Sequence, residues 1–112
     1  MPTVNVTRIP AGKTEAYKRI IHEMLTDHGA ENADLNRRAG ITEEYHFIVS
    51  GPDGDDAVAF FAGDPVPLHQ VMDPTSNAFD RWLKEQLDSI YGAGASQQAA
   101  SRCELIGHAR VD

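Results

Sequence analysis

The chain has a single cysteine, Cys103, which excludes an intrachain disulfide and any zinc site built from several thiolates. A lone cysteine of this kind is expected as a small buried residue, here in the last strand. Long apolar runs are also missing: the longest, Ala57 to Ala62, is far too short to span a bilayer. No basic stretch leading into an apolar one opens the sequence, so the expectation is a cytoplasmic protein with no membrane partner. Basic clusters are equally scarce. Arg37-Arg38 is the nearest approach to one, and 10 Lys and Arg stand against 17 Asp and Glu for a net charge of -7. Such a chain repels phosphate backbones, so nucleic acid is not an expected partner.

What is present suits one small globular domain. The 112 residues are too few for two independent cores, and 41% of them are hydrophobic. A domain of this size buries a smaller share of its surface than a larger one, which favours association with a second copy. One domain over residues 1–112 is therefore expected, with Gly92 to Ser101 as a linker of small residues before the last strand.

Periodicity sets the element order. Thr3 to Ile9 alternates and is rich in β-branched residues, which predicts a first strand. Tyr17, Ile20, Ile21, Met24 and His28 follow helical spacing within a helix over Lys13 to His28, stopped by Gly29. Asn32 to Ala39 reads as a short helix or turn ended by Gly40. Glu43 to Val49 and Ala57 to Ala62 read as a hairpin around the turn-rich Ser50 to Asp55. Pro65 to Met72 suggests a short helical excursion. Asp73-Pro74 then resembles a helix cap, and Phe79, Trp82, Leu83, Leu87 and Ile90 form the stripe of a second long helix ending at Tyr91-Gly92. Alternation over Arg102 to Arg110 predicts a fourth strand. The expectation is α+β: a ferredoxin-like βαββαβ sandwich with a four-stranded antiparallel sheet and two long helices on one face.

Alternate strand residues face opposite sides of a sheet. One parity (Val4, Val6, Tyr45, Phe47, Val49, Cys103, Leu105, Ala109) is apolar enough to be expected beneath the helices. The other carries Asn5, Thr7, Glu44, His46, Ile48, Glu104, Ile106 and His108, too apolar for water and too charged for a dry core. A partly polar cavity closed by the sheet of a second subunit meets both demands, so a homodimer pairing through that face is expected.

Several short matches carry a resemblance. They are Arg8 at the end of the first strand, Gly12-Lys13, Gly40-Ile41 leading to Glu44-x-x-Phe47, the Gly51 to Gly54 hairpin, Asp64, and Ser76-x-x-Phe79-Asp80. Together they resemble an uncharacterised family of small dimeric α+β barrel proteins of unknown function. The resemblance implies the fold and the dimer and brings no established activity. It also implies a histidine within a turn of the helix aspartate, where this chain has Arg81-Trp82-Leu83.

Candidate chemistry is sparse. The five histidines, His22, His28, His46, His69 and His108, show no zinc-protease spacing or other ligand motif. His22 is expected on a solvated helix face, His69 in a surface loop, and His28 at the end of the first helix. His46 and His108 fall on the cavity face beside Glu44 and Glu104, and a histidine with a neighbouring carboxylate is a workable base. Arg8 is expected to pair with an acid such as Asp80 or to bind an anion. The candidate ligand-binding residues are thus Arg8, Asn5, Glu44, His46, Glu104, His108 and Asp80, with no catalytic residue assigned, no metal and no cofactor. The expected function is a homodimeric small-molecule binding or sensing domain. The alternatives are a cofactor-independent monooxygenase of the antibiotic-biosynthesis type, suggested by Asn5, Trp82 and His46, and an assembly protein without a ligand.

Overall fold

β-Branched alternation, a turn cluster and two apolar helix stripes translate into elements in the order the sequence suggests as far as residue 91. A computed structural model describes residues 1–93 and 105–111. Its elements are β1 (Thr3–Arg8), α1 (Thr14–Leu25), α2 (Gly29–Ala39), β2 (Ile41–Gly51), β3 (Gly54–Gly63), α3 (Leu68–Val71) and α4 (Ala78–Tyr91). Among the described residues these make one three-stranded antiparallel sheet, in the order β1-β3-β2, and four helices.

That architecture corrects the expected four-stranded sheet with two long helices. Residues 105–110, read as part of a fourth strand, are exposed and in neither strand nor helix. Alternation alone does not make a strand, because backbone N–H and C=O groups must also meet a pairing neighbour, and Gly107 weakens the stretch further. Arg102, Cys103 and Glu104 lie outside the described residues, as do positions 94–101 of the expected linker. The helical content is also divided differently. α1 stops at Leu25, and Gly29, expected to end the first helix, instead opens an 11-residue α2. His28 therefore stands between two helices, its ring 4.2 Å from Trp82 and its Nδ1 2.9 Å from Glu31.

Tight backbone geometry fixes where the sheet meets the helices. Gly40 ends α2 at φ 75°, and a side chain there would come within 2.7 Å of the Asp64 carbonyl oxygen. Gly63, at φ 103°, packs back against the Gly40 carbonyl. Only glycine takes such backbone angles without strain while leaving room for so close an approach. Arg8 clamps the far end of the hairpin: its Nη1 donates to the Asp53 carbonyl at 2.7 Å and its Nε to Asp56 Oδ1 at 2.7 Å. The start of α1 is tied to the same hairpin, with Thr14 Oγ1 donating to Asp55 Oδ2 at 2.6 Å. The cap of α4 is Asn77, whose side chain accepts the Asp80 N–H at 3.0 Å, and not Asp73. Asp73 instead accepts from Thr75 and Ser76 in the turn before the helix.

The core lies between one sheet face and the helices. Met24, Leu35, Phe79 and Leu83 pack α1, α2 and α4 together, while Ile9, Tyr17, Ile20, Ala57 and Ile90 seal the end beside the hairpin. The covered face is the parity that was expected to meet a second subunit. Cross-strand register aligns Asn5, Ala59 and His46 in one row and Thr7, Ala57 and Ile48 in the next. Ala57 and Phe61 on this face are buried. Tyr45, Phe47 and Val49, expected beneath the helices, are 48%, 53% and 53% exposed on the other side. This second correction has a physical reason. The polar members of the inner face satisfy one another, so burying them carries little of the penalty that an unpaired group would bring.

Candidate functional site

The residues of the inner sheet face do not fill the space below α1, α2 and α4. They leave a cavity of about 650 Å3, with Ile21, Met24, Leu35, Leu83 and Leu87 from the helices on one side and Asn5, Ala59 and His46 from the sheet on the other. Its size falls in the range of small-molecule sites, as does a mostly apolar lining with a few converging polar groups.

The polar end is built by β2 and α2. In β2, Glu44 and His46 are two residues apart and share a face, so His46 Nε2 reaches Glu44 Oε2 at 2.8 Å. In α2, Asn32 and Asn36 are one turn apart and share a helix face. Both amides converge on Glu44 Oε1, Asn36 Nδ2 at 2.8 Å and Asn32 Nδ2 in a shorter contact. Burial opposes the Glu44 charge, but the hydrogen bonds from His46, Asn36 and Asn32 and the nearby imidazole outweigh it and hold this carboxyl below its ordinary range. The side chains of Glu44 and His46 are 8% and 12% exposed. His46 Nδ1 is buried and makes no hydrogen bond, and the ring meets Phe61 edge-on with centroids 6.1 Å apart.

The opposite end carries Tyr17 and Tyr91, whose rings meet edge-on at 6.3 Å. Burial, reinforced by Tyr91, pushes the Tyr17 hydroxyl far above the usual phenol range, and burial raises Tyr91 as well. Both therefore act as neutral hydroxyls. They contribute hydrogen bonding without charge.

Of the candidate residues, Asn5, Arg8, Glu44 and His46 line this cavity. Asp80 does not. It is fully buried between α2 and α4, where Arg38, and not Arg8, grips it through Nη1–Oδ2 and Nη2–Oδ1 contacts of 2.8 and 3.0 Å. His108 is exposed in the stretch after residue 104 and does not line the cavity, and Glu104 lies outside the described residues. Ile106, expected on the cavity face, is 93% exposed. Trp82 packs on His28 and Phe79 and is not part of the lining. His69, expected in a surface loop, sits in α3 at the cavity edge.

Sequence reasoning missed Asn32, Asn36, Tyr17 and Tyr91. The i, i+4 asparagines were the available signal, since two amides on one face of a short polar helix suit a shared acceptor. Among the described residues no three His, Cys, Asp or Glu side chains converge as a metal site, and no helix is long and apolar enough to cross a membrane. No family model, no curated protein and no solved structure matches the chain.

Proposed function

We propose that the chain is a small-molecule binding domain whose site is the cavity between its own sheet and helices, rather than one closed by the sheet of a second subunit. The observation that carries this reading is an amphipathic cavity of about 650 Å3 with a fixed Glu44–His46 pair at its polar end. A protein needing only a stable core gains nothing from leaving this volume unfilled, because lining atoms without neighbours lose dispersion contacts. A direct test is titration with a neutral naphthalene-based dye in the wild type and in Ala59→Trp. Ala59 lies mid-sheet between Asn5 and His46, so the indole occupies the centre of the cavity. Saturable one-to-one binding is expected in the wild type and loss of at least tenfold in affinity in the variant. Equal binding by both, with the variant folded, removes the reading.

The partner that best suits the outer sheet face is a second copy of the chain. Phe47, Tyr45 and Val49 project from β2, and Val58 and Phe60 stand opposite them on β3. The Arg8–Asp56 pair marks one end of this apolar strip, and Glu43, bonded to the Tyr45 hydroxyl, marks the other. A two-fold axis between two sheets, perpendicular to the strands and passing near Phe47, lays the strip on its own reversed copy, with Tyr45 of one copy facing Val49 of the other. The face is then self-complementary, as an isologous contact requires. Sedimentation is expected to show a dimer at micromolar concentration and a monomer for Phe47→Lys. A monomeric wild type defeats the pairing and leaves the cavity reading intact.

A further inference from the structure

Resting on the cavity reading above, we propose that the ligand is a neutral carbonyl compound with an apolar body, a ketone being the simplest case, and that the Tyr17 hydroxyl donates to its oxygen. Tyr17 shares with Ile21 and Met24 the side of α1 that lines the cavity. The residue is 7% exposed, and its hydroxyl makes no hydrogen bond among the described residues. Two side-chain atoms there are fully enclosed without a partner, His46 Nδ1 and Asp88 Oδ1, and the Tyr17 oxygen is not one of them. It therefore keeps accessible surface, and in a buried side chain of the lining that surface opens on the cavity. A buried phenol ordinarily finds a hydrogen-bond partner. Here the fold presents a donor and supplies no acceptor for it.

The donor is held in place and kept protonated. Tyr91 meets the Tyr17 ring edge-on at 6.3 Å, and the ring packs in one cluster with Ile9, Ile20, Ala57 and Ile90. A ligand therefore meets a hydroxyl already fixed in position, with little side-chain freedom left to lose. Burial, reinforced by Tyr91, raises its ionisation far above the phenol range, so it remains a donor at every ordinary pH. Charge then narrows the class. An anionic ligand brings a like charge into a cavity that already holds the ionised Glu44. The one guanidinium among the described lining residues, Arg8, is engaged by Asp56 and the Asp53 carbonyl. A cation gains little either, since three side chains already occupy most acceptor positions of Glu44. A neutral acceptor on a hydrocarbon frame meets what remains: its oxygen at Tyr17 and its body along Ile21, Met24, Leu83 and Leu87.

The experiment titrates wild type and Tyr17→Phe with naphthalene probes read by fluorescence: a naphthyl methyl ketone, the hydrocarbon in which C=CH2 replaces its C=O, and naphthoate. Phenylalanine keeps the ring and removes only the hydroxyl. The hydrocarbon thus reports on folding and cavity shape, while the ketone reports in addition on the hydrogen bond. The infrared carbonyl band of the bound ketone reads that bond directly, because donation to the oxygen weakens C=O and lowers its frequency. The difference between isotopically labelled and unlabelled ketone removes the protein's own amide bands.

Wild type is expected to bind the ketone more tightly than naphthoate, with the carbonyl band below its position in alkane. Tyr17→Phe is expected to lose about tenfold in ketone affinity, to keep the hydrocarbon's affinity and to return the band toward its alkane position. An unshifted band in wild type overturns the proposal. So does a ketone affinity unchanged in Tyr17→Phe, an equal loss for ketone and hydrocarbon, or naphthoate binding as tightly as the ketone. Replacing Tyr17 with a fluorotyrosine, a stronger donor of nearly the same shape, is expected to lower the band further, and no change there also overturns it. Through each of these results, hydrocarbon binding to the wild type leaves the cavity reading standing. Failure of ketone and hydrocarbon alike to bind the wild type overturns the proposal and the cavity reading together.

Discussion

Replacing Asp80 with alanine is expected to cost about 3–5 kcal/mol of stability, lowering the melting temperature by roughly 10–20 °C. Asp80 has no exposed surface, yet it is charged, and its whole environment is arranged to keep it so. Arg38 binds both carboxylate oxygens in a fork and the Asp73 N–H donates to Oδ2 at 2.8 Å. The same Arg38 Nη1 donates to the Val71 carbonyl at 2.9 Å. One ion pair thus joins α2 to α4 and pins the end of α3 between them. Removing the carboxylate strands the guanidinium and the Asp73 amide, and loss of one member of a buried pair is what makes such changes severe. Arg38 keeps 29% of its side chain exposed and a second partner in Asp34, which places the expected cost toward the lower end of the range. The double variant Asp80→Leu with Arg38→Met is expected to be more stable than Asp80→Ala alone, since no charge is left uncompensated. Thermal denaturation of the three proteins checks this, and a shift of only a degree or two for Asp80→Ala defeats the account.

How much of this was legible in the sequence depends on whether the signal was local. The β2–β3 hairpin follows from Gly51-Pro52-Asp53-Gly54 between two β-rich runs, and α1 and α4 from stripes repeating at helical spacing. Parity correctly divided the sheet residues into two sets, because alternation is a property of each strand alone. Which set faces the helices is not local. It depends on Asn32 and Asn36 meeting Glu44 across a helix–strand contact, and no periodicity records that amides and a carboxylate satisfy each other. Apolarity alone pointed to Tyr45, Phe47 and Val49 as the inner set, whereas the paired polar set is inside. Arg8 and Asp80 were likewise each recognised as half of an ion pair. Their partners are Asp56 and Arg38, and a candidate acid or base elsewhere in the chain looks equally good until the fold brings one of them close. The alternation after residue 104 misled for the converse reason: a local pattern is present where no described strand exists.

Deleting the Glu44 carboxylate is the second change expected to be large, and it separates the role of charge from that of shape. Glu44→Ala leaves the amides of Asn32 and Asn36 and the Nε2–H of His46 without their acceptor. Each buried unsatisfied donor costs about 1–3 kcal/mol, but the adjoining cavity lets water reach some of them. A loss of about 2–4 kcal/mol at neutral pH is therefore expected. Glu44→Gln keeps the shape and an acceptor for the asparagines, and is expected to lose about half as much or less. The pH dependence then identifies the charge. The folded state holds Glu44 below its ordinary range, so the unfolded chain takes up that proton first as pH falls. The stabilisation is fully present above the unfolded value of about 4.3 and drains away as pH drops through it toward the lower folded value. Urea denaturation of wild type and Glu44→Gln is thus expected to show a gap near neutrality that narrows steadily below about pH 4. A gap that stays constant from neutral to acid pH shows that the carboxylate contributes no charge-dependent stability, and the account of Glu44 as an ionised group held by its hydrogen bonds falls with it.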